Sequence, residues 1–340
     1  MVDPVSIARF LCLKRLRRGG ASGTLGARVT FEFRVGADEN GLGARLGPLV
    51  VTAVLARVDE RGRRALKRKL PAAIRGDLDD SKRLMSHTDV AIGEAWARTL
   101  IGGAVSSPAE LFAALSLEGR QALQKPCEAH VAGQCWTETG EAFEADAELL
   151  TRVQGHRRAL AERGVELLGV QSSVVCTKTL NDAKRRGTNR FVSDLHAMER
   201  LIIELRKRAG GDVEAVCGKV GGIGEYSKFF GPLSDRLHAV LGEGRARSGY
   251  RFPGIGEVHF VRDADASDPL VSLASIVGKY VRELFMSRIG RHYPDDGRRP
   301  SGYHDPVTSG FVERSQLLRK KRKIPDHCFE RDRDPAAARA

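Results

Sequence analysis

The feature that most constrains the fold is an alternating apolar pattern that runs into two adjacent acids and a glycine-rich turn. Apolar side chains recur at every second residue from 29 to 35, which is the period of a half-buried β-strand. Asp38 and Glu39 follow, then Asn-Gly-Leu-Gly at 40–43, and the nearly apolar stretch 46–54 predicts a second strand. Two acids at a strand end, beside a turn that lets backbone approach a ligand, suit a hard divalent cation and a phosphate. A polar hairpin turn would leave the same pattern, so these residues alone keep both interpretations open.

The charge of the chain points to a polyanionic partner. Its 340 residues carry a formal net charge of +13, and cationic surfaces neutralise phosphates, which makes nucleic acid the expected partner class. A general preference for arginine on a solvated surface would give the same charge, so this alternative stays open. The hydrophobic content of 41% is enough for a core, and the length allows one domain with an insertion and tails.

The sequence gives no sign of a membrane or a secretory pathway. No apolar run approaches the roughly 20 residues of a membrane span, and the first basic residues follow a short apolar stretch rather than precede it. We therefore expect a cytoplasmic protein without a membrane partner. Its six cysteines form no C-x-x-C pair and are expected to be reduced. Cys127, His130 and Cys135 are close in sequence but lack a nearby fourth ligand, which disfavours zinc.

Strands and helices alternate along the rest of the chain. The predicted elements are strands at 165–177, 213–217 and 258–261 and helices at 189–208 and 272–289. This alternation implies an α/β fold with one mixed β-sheet flanked by helices. The composition changes between about 106 and 164, which predicts a helical insertion. We divide the chain into a basic flexible N-terminal arm (1–27), one domain (28–310) and a basic, polar C-terminal tail (311–340).

Four motifs, in order along the chain, resemble those of the type 2 ribonucleases H, the ribonuclease HII-like family. The first is the Asp-Glu pair with its Gly-x-Gly turn and the Gly-Pro strand, at 36–50. Asp-Ser-Lys-Arg-Leu at 80–84 is the second, and Asp265 with the helical segment 274–282 is the third. Ser-Gly-Tyr at 301–303 is similar to the tyrosine segment of the archaeal and eukaryotic branch. The resemblance covers roughly residues 29–310, breaks at the insertion, and implies a ribonuclease H-like sheet.

The resemblance implies a chemistry and a set of residues. Such enzymes cut the RNA strand of an RNA–DNA hybrid, or act at ribonucleotides embedded in DNA, and four carboxylates hold two divalent cations, Mg²⁺ or Mn²⁺. Three of these carboxylates, catalytic and metal-ligating, would be Asp38, Glu39 and Asp265. The implied substrate-binding residues are Gly41, Gly43, Ser81, Lys82, Lys279 and Tyr303. For the two lysines a solvated cation, and for the tyrosine a packed surface aromatic, remain the alternatives.

Two departures from the family pattern count against full activity. The family's third aspartate ends a central strand, where this chain has Cys217, or Gly218 if the alignment shifts by one residue. A thiol is a poor ligand for Mg²⁺, which demands oxygen donors in near-ideal octahedral geometry. Glu225 or Asp212 would have to reach in from several residues away. Leu42 replaces the turn arginine and cannot donate to a phosphate or a ribose hydroxyl.

The sequence thus leaves two functions open. The first is a ribonuclease HII-like protein that binds RNA–DNA hybrid or ribonucleotide-containing duplex, with catalysis impaired by the missing carboxylate. The alternative is an active metal-dependent endoribonuclease that cleaves the RNA strand of hybrids. A structural subunit that docks a protein partner through the insertion is a third possibility.

Overall fold

The computed structural model describes residues 30–131, 133, 140–220, 223–294 and 297–332. The predicted N-terminal arm and the last eight residues of the predicted tail lie outside these ranges. The strands are β1 (Glu32–Asn40), β2 (Leu49–Val58), β3 (Val165–Val175), β4 (Val213–Gly218), β5 (Ala239–Gly242), β6 (Arg247–Phe252) and β7 (Gly256–Val261). They form one mixed sheet in the order β3-β2-β1-β4-β7-β6-β5.

The direction of the strands sets where a site can form. β1 is antiparallel to β2 and parallel to β4, and β4 is parallel to β7. The other neighbouring pairs are antiparallel. The carboxyl ends of β1, β4 and β7 therefore meet at the same edge of the sheet, where open α/β sheets bind their ligands.

Helices cover both faces of the sheet. Within the described residues they are α1 (Glu60–Leu66), α2 (Ala72–Arg75), α3 (Ser81–Leu84), α4 (Ala91–Ile101), α5 (Pro108–Leu115), α6 (Arg120–Gln124), α7 (Ala147–Glu162), α8 (Thr177–Arg185), α9 (Arg190–Ala209), α10 (Ala264–Ser267), α11 (Pro269–His292), α12 (Pro306–Arg314), α13 (Gln316–Lys321) and α14 (Asp326–Phe329). The α/β class predicted from the sequence, a mixed sheet flanked by helices, is confirmed. None of the described helices is long and apolar enough to cross a membrane.

Two hydrophobic cores fix the sheet between its helices. One face of β2 and β3 packs with α4, α5, α7 and α11, and we call it the α11 face. The opposite face, the α9 face, packs α9 against apolar side chains of β1, β2, β4, β6 and β7. Helix α9 begins at Asn189, whose side chain accepts from the amide of Val192, and it ends at Gly210 in the left-handed conformation.

The segment predicted as a helical insertion is helical and belongs to the main core. α5, α6 and α7 occupy most of residues 106–164. Leu111 and Leu115 of α5 and Val153 and Leu160 of α7 are buried in the core of the α11 face. These helices therefore pack with the sheet rather than stand apart from it.

The described part of the predicted basic, polar C-terminal tail is folded. Residues 306–329 form α12, α13 and α14. Phe311 and Phe329 pack with Leu46 and with Met286 and Ile289 of α11 in a third core. Because the segment is rich in charged residues, the few apolar residues that anchor it form too weak a pattern to predict its helices. β5 and β6 were also not predicted, because both strands are short and β5 is exposed along its whole length.

Candidate acidic site at the strand ends

The acid pair lies at the carboxyl end of β1. Asp38 is 8% exposed and, alternating with the buried Ala37, lies on the α11 face. Its carboxylate accepts a hydrogen bond from the Ser275 hydroxyl of α11. The hydroxyls of Ser275 and Ser81 are also hydrogen-bonded, at 3.0 Å, so α3 and α11 both support Asp38. Ser275 thus lies against the acid and links it to α3.

Negative charge is concentrated at this edge. Burial, followed by the charge of Glu39, raises the pKa of Asp38 well above its usual range. Burial and then Asp194 raise the pKa of Glu39 to about 8, and Asp265 contributes less. Asp194, on α9, was missed at the sequence level. Asp194 lies in the apolar stripe of α9, two turns before Leu201. A charged residue on an otherwise apolar helix face was therefore the signal that the sequence offered.

The end of β4 contributes no acid. Ala37 is in register with Cys217, so both side chains lie on the α9 face. Cys217 is fully buried in that core, and burial raises the pKa of its thiol. Gly218 lies on the side of Asp38, because a Cβ added there would be 2.5 Å from the Asp38 Oδ1. The position opposite Asp38 is thus held by Gly218 and not by Cys217, which corrects the register favoured from the sequence.

The two acids considered as replacements for the strand carboxylate point elsewhere. Glu225 is exposed and forms an ion pair with Lys228. Asp212 precedes β4, at the opposite end of that strand, and lies 3.6 Å from the Arg206 guanidinium. Neither is placed to complete the site.

Asp265 lies beyond the end of β7, on the short helix α10. Its carboxylate accepts the amide of Ala266 at 3.1 Å, and it acts electrostatically on both Asp38 and Glu39. It also lines a cavity of about 350 Å³ between α10 and the 67–83 segment. Basic side chains outnumber acids in that lining: five basic residues (Lys67, Arg68, Lys69, Arg75 and Arg83) stand against three acids (Asp79, Asp265 and Asp268), and we call it the basic cavity.

The donor chemistry of this edge fits a hard divalent cation. All of the acids offer carboxylate oxygens, the ligands that Mg²⁺ and Mn²⁺ prefer. Burial first, and nearby negative charge second, raise the pKa values of both Asp38 and Glu39, and a cation would stabilise their ionised forms. Within the described ranges, however, no three His, Cys, Asp or Glu side chains are spaced as a metal-binding group. The three acids that the resemblance implies are therefore not spaced as a metal-binding group, although the charge of Asp265 contributes to the raised pKa values of Asp38 and Glu39.

The glycine turn is anchored from the far end of the chain. Gly41 has φ +86°, and a Cβ there would be 2.5 Å from the Arg282 Nε, so both conformation and space require glycine. The buried Arg331 guanidinium donates to the carbonyls of Gly41, Leu42 and Gly47. The Leu42 side chain packs against the core of the α9 face, whereas Gly43 is exposed with open space around it among the described residues.

The tyrosine segment lies against the same turn. The Gly302 carbonyl accepts the amides of Arg45 (2.8 Å) and Leu46 (2.9 Å). The buried Arg282 guanidinium donates to the Ser301 carbonyl and lies 4.6 Å from the centroid of the Tyr303 ring. Tyr303 itself remains 43% exposed, so its ring presents a face to a ligand at this edge.

The two predicted lysines differ in orientation. Lys82 is exposed on α3, and its backbone amide is capped by Asp80. Lys279 turns inward, where its ammonium donates to the carbonyls of Ser81 (3.0 Å) and Met85 (2.6 Å), and burial lowers its pKa. Lys279 thus holds α3 in place. The basic run at 319–323 is likewise not wholly a surface feature, since Arg319 is buried and donates to the Val312 carbonyl.

The sequence-adjacent cysteines give no metal centre in the described part of the chain. Cys135 lies outside the described residues, and Cys127 is a free thiol. His130 contacts the Lys323 carbonyl at 3.1 Å.

The fold and the site together define an α/β protein with an acidic cluster at the carboxyl ends of its parallel strands. No family model and no curated protein matches the sequence. Among solved structures, the chain is similar to Bst-RNase HIII in complex with Mn²⁺ at 13% identity and a TM-score of 0.43, over 88% of this chain and 66% of that one. It is also similar to the RNase HII of the PCNA:RNase HII complex from Archaeoglobus fulgidus (17% identity, TM-score 0.37, 90% of this chain and 99% of that one). A third similar structure is ribonuclease H2 from Pyrococcus horikoshii (14% identity, TM-score 0.35, 87% and 92%). A likeness this distant assigns no role to any residue.

Proposed function

We propose that this chain is a ribonuclease HII-like protein that binds RNA–DNA hybrids or duplexes containing ribonucleotides. The observation that carries the proposal is that motifs far apart in sequence share one edge of the sheet. Ser81 of the second motif reaches Asp38 through Ser275. Asp265 acts electrostatically on the same acid, and the Tyr303 segment pairs with the turn after it.

The surroundings of the acids suit a nucleic-acid backbone. The basic cavity beside Asp265 supplies positively charged side chains that can contact phosphates. Lys82 is exposed, adjoins Arg83 of the cavity lining in sequence, and adds a further positive charge. The exposed ring of Tyr303, backed by the Arg282 guanidinium, offers a surface for a sugar or a base. Leu42 removes one donor from the turn, so we expect weaker discrimination of ribose from deoxyribose.

A divalent cation, Mg²⁺ or Mn²⁺, would be held by Asp38 and Glu39, with Asp265 beside them. When bound, such a cation activates a water or stabilises the leaving oxygen of a phosphodiester. Ser275 would keep Asp38 oriented, and the buried edge would limit access of bulk water to the acids. Because Gly218 stands where a strand acid would complete the set, we expect cleavage to be weak.

An active endoribonuclease is the second candidate. The observation in its favour is the buried Asp194 of α9, a further carboxylate whose charge contributes to the raised pKa of Glu39.

The proposal is tested by direct binding without metal. A fluorescein-labelled RNA–DNA hybrid, a DNA duplex and a DNA duplex with one ribonucleotide are titrated with the protein, and fluorescence anisotropy gives each Kd. We expect affinity to fall steeply with salt, because phosphate contacts release counterions. Arg75→Ala, in the basic cavity, should weaken binding to all duplexes and reduce the slope of log K against log salt by about 1.

Arg208→Ala is the matched control. Arg208 is an exposed arginine at the end of α9. It lies near the start of β4, away from the carboxyl ends of the strands where the acids are. Its replacement removes the same charge and should leave the salt slope unchanged. Equal slopes for the two variants, or no binding of the unaltered protein at low salt, would contradict the proposal.

A further inference from the structure

The basic cavity continues into a second cavity whose lining contains no acid. The second cavity, of about 420 Å³, shares Arg68 and Lys69 with the basic cavity, so the two are continuous. It is also lined by Arg61, Arg64 and Arg163. Five of its eight lining residues are therefore positively charged and none is negatively charged. We call the segment 61–75, together with Arg163, the basic strip.

Most of the basic strip has no acid to neutralise it. The segment 61–75 contains seven basic residues and no acid. Arg61, Arg63 and Arg64 each form an ion pair with an acid outside the segment, at 2.9–3.2 Å. Five side chains have no hydrogen-bond or ion-pair partner among the described residues, namely Lys67, Arg68, Lys69, Arg75 and Arg163. Neighbouring like charges repel each other, so the stability of the fold does not explain them.

Buried side chains fix the segment on the protein. Leu66, Leu70 and Ile74 recur every four residues and are buried in the core of the α11 face. Helix α1 begins at Asp59, whose carboxylate accepts the amide of Gly62 at 2.8 Å. The unpaired basic side chains between these anchors are exposed. A backbone held in this way loses little conformational freedom when its charges meet a ligand.

The basic strip leads from the acids to the opposite edge of the sheet. At one end, Asp265 lines the basic cavity beyond the end of β7. At the other end, Arg163 stands two residues before Val165, which pairs with Val58, and Val58 pairs with Glu32 at the start of β1. The strip therefore extends over about the length of β1, which is roughly 27–30 Å for nine residues. This length equals about eight base pairs at about 3.4 Å each.

We propose that the basic strip binds the phosphate backbone of the duplex that flanks the acids, so that the protein recognises a duplex extending at least about eight base pairs from them. The inference rests on the proposed function and names the length of its nucleic-acid ligand. Continuity with the basic cavity favours a duplex, because one rigid polyanion can then contact both cavities at once. A short hybrid would contact only part of the strip.

Salt titrations with hybrids of different length test this inference. Fluorescein-labelled RNA–DNA hybrids of about 6 and about 24 base pairs are titrated with the full chain without divalent cations, and fluorescence anisotropy gives each Kd over a range of salt. At about 3.4 Å per base pair, the short hybrid spans roughly 20 Å and is shorter than the strip. The long hybrid should therefore show the steeper fall of log K with log salt.

Arg163→Ala removes the charge at the far end of the strip. It should lower the salt slope for the long hybrid by about 1, and Arg163→Ala combined with Lys69→Ala should lower it by about 2. Both side chains are exposed, so we expect both variants to fold. Arg158→Ala is the matched control, because Arg158 is an exposed arginine of α7 that lines a separate cavity. Its removal should leave the slope unchanged.

The outcomes separate this inference from the proposed function. Equal slopes for the two hybrids, or an Arg163→Ala slope equal to that of Arg158→Ala, would overturn the role of the strip. Arg75→Ala, in the basic cavity, would still report on the proposed function in that case. Binding of labelled poly-glutamate as tight as that of the long hybrid would overturn the assignment to a duplex and indicate an acidic protein. No binding of either hybrid would contradict both the inference and the proposed function.

Discussion

Asp38 and Glu39 are held in a state that opposes folding. Each is desolvated, and each is close to further carboxylates, so the ionised forms are disfavoured. Hydrogen bonds from the Ser275 hydroxyl and the backbone offset only part of this cost. Perturbed acids of this kind cluster at functional sites, because a site must keep charge where a ligand will use it. A bound cation would reverse the preference, since it stabilises the carboxylates that burial destabilises.

The raised pKa of Glu39 predicts how stability depends on pH. Between the ordinary value of 4.5 and about 8, the folded protein keeps a proton that the unfolded chain has released. The free energy of unfolding of the metal-free protein should therefore fall as the pH rises through this window, by ~1.4 kcal/mol per unit at most for this group, and level off above about 8. Glu39→Gln should flatten the dependence, as measured by urea denaturation from pH 5 to pH 9.

Glu225→Gln is the control for this experiment, because Glu225 is exposed and away from the acid pair. It should leave the dependence on pH unchanged. A Glu39→Gln profile that overlays that of the unaltered protein would show that Glu39 ionises normally in the folded state.

Residues of the site differed in how far the sequence could reveal them. Asp38, Glu39 and Asp265 stand in motifs, so sequence alone singled them out. The register of β4 could not be fixed, because Cys217 and Gly218 both fit the end of an apolar run and only strand pairing decides which faces Asp38. Asp194 lies on a helix outside every motif, and its burial depends on how that helix packs.

At the scale of elements, the strong periodic patterns were read correctly. The strands β1 to β4 and β7 and the helices α9 and α11 were all predicted, with ends displaced by a few residues. These elements are buried, and burial is what imposes a hydrophobic period on a sequence. The exposed β5 carries no such constraint, and the helices after residue 305 are anchored by long-range contacts that no local pattern records.

The C-terminal segment acts as a support for the glycine turn. Glu330 forms a β-bridge with Leu46, and the next residue, Arg331, is 2% exposed with its guanidinium on the carbonyls of the turn. Arg331→Lys cannot serve all of these carbonyls, because an ammonium lacks the planar fork of a guanidinium. We expect a loss of stability of about 1–3 kcal/mol, measured by urea denaturation, since buried carbonyls would lose their donors.

Lys321→Ala serves as the comparison for that substitution. Lys321 ends α13 and is exposed, so its removal should change stability by less than about 0.5 kcal/mol. If Arg331→Lys were equally mild, the turn would have to be held by its other contacts, such as those of Arg190 and Gly302.

At the scale of the whole molecule, one edge of the sheet combines acids, a basic cavity and an aromatic side chain. Acids alone would repel a phosphate backbone, and the net charge of +13 works against that repulsion. The basic cavity beside Asp265 gives the attraction a defined place. This arrangement allows a polyanion to approach the acids together with its counter-cations. Nucleic-acid binding and cation binding, the two parts of the proposed function, can then take place at the same edge.

The last prediction concerns cleavage of RNA–DNA hybrid by the whole protein. We expect weak cleavage with Mg²⁺, which demands near-ideal octahedral oxygen ligation, and greater cleavage with Mn²⁺, which is less exacting about its ligands. Gly218→Asp should raise the Mg²⁺-dependent rate, because it restores a carboxylate next to Asp38. The new Cβ would meet the far ends of the Asp38 and Glu39 side chains, and the closer of the two, Asp38, can shift. Cleavage is measured on a hybrid with a 5′-labelled RNA strand.

Cys217→Asp is the matched comparison, one residue earlier on the same strand. Its carboxylate would enter the core of the α9 face, where an unpaired charge should cost about 3–5 kcal/mol of stability and add nothing to cleavage. Robust Mg²⁺-dependent cleavage by the unaltered chain would show that the acids already present are sufficient, and the proposal of impaired catalysis would then give way to an active endoribonuclease. A gain of activity in Cys217→Asp, but not in Gly218→Asp, would mean that β4 presents the opposite face to Asp38.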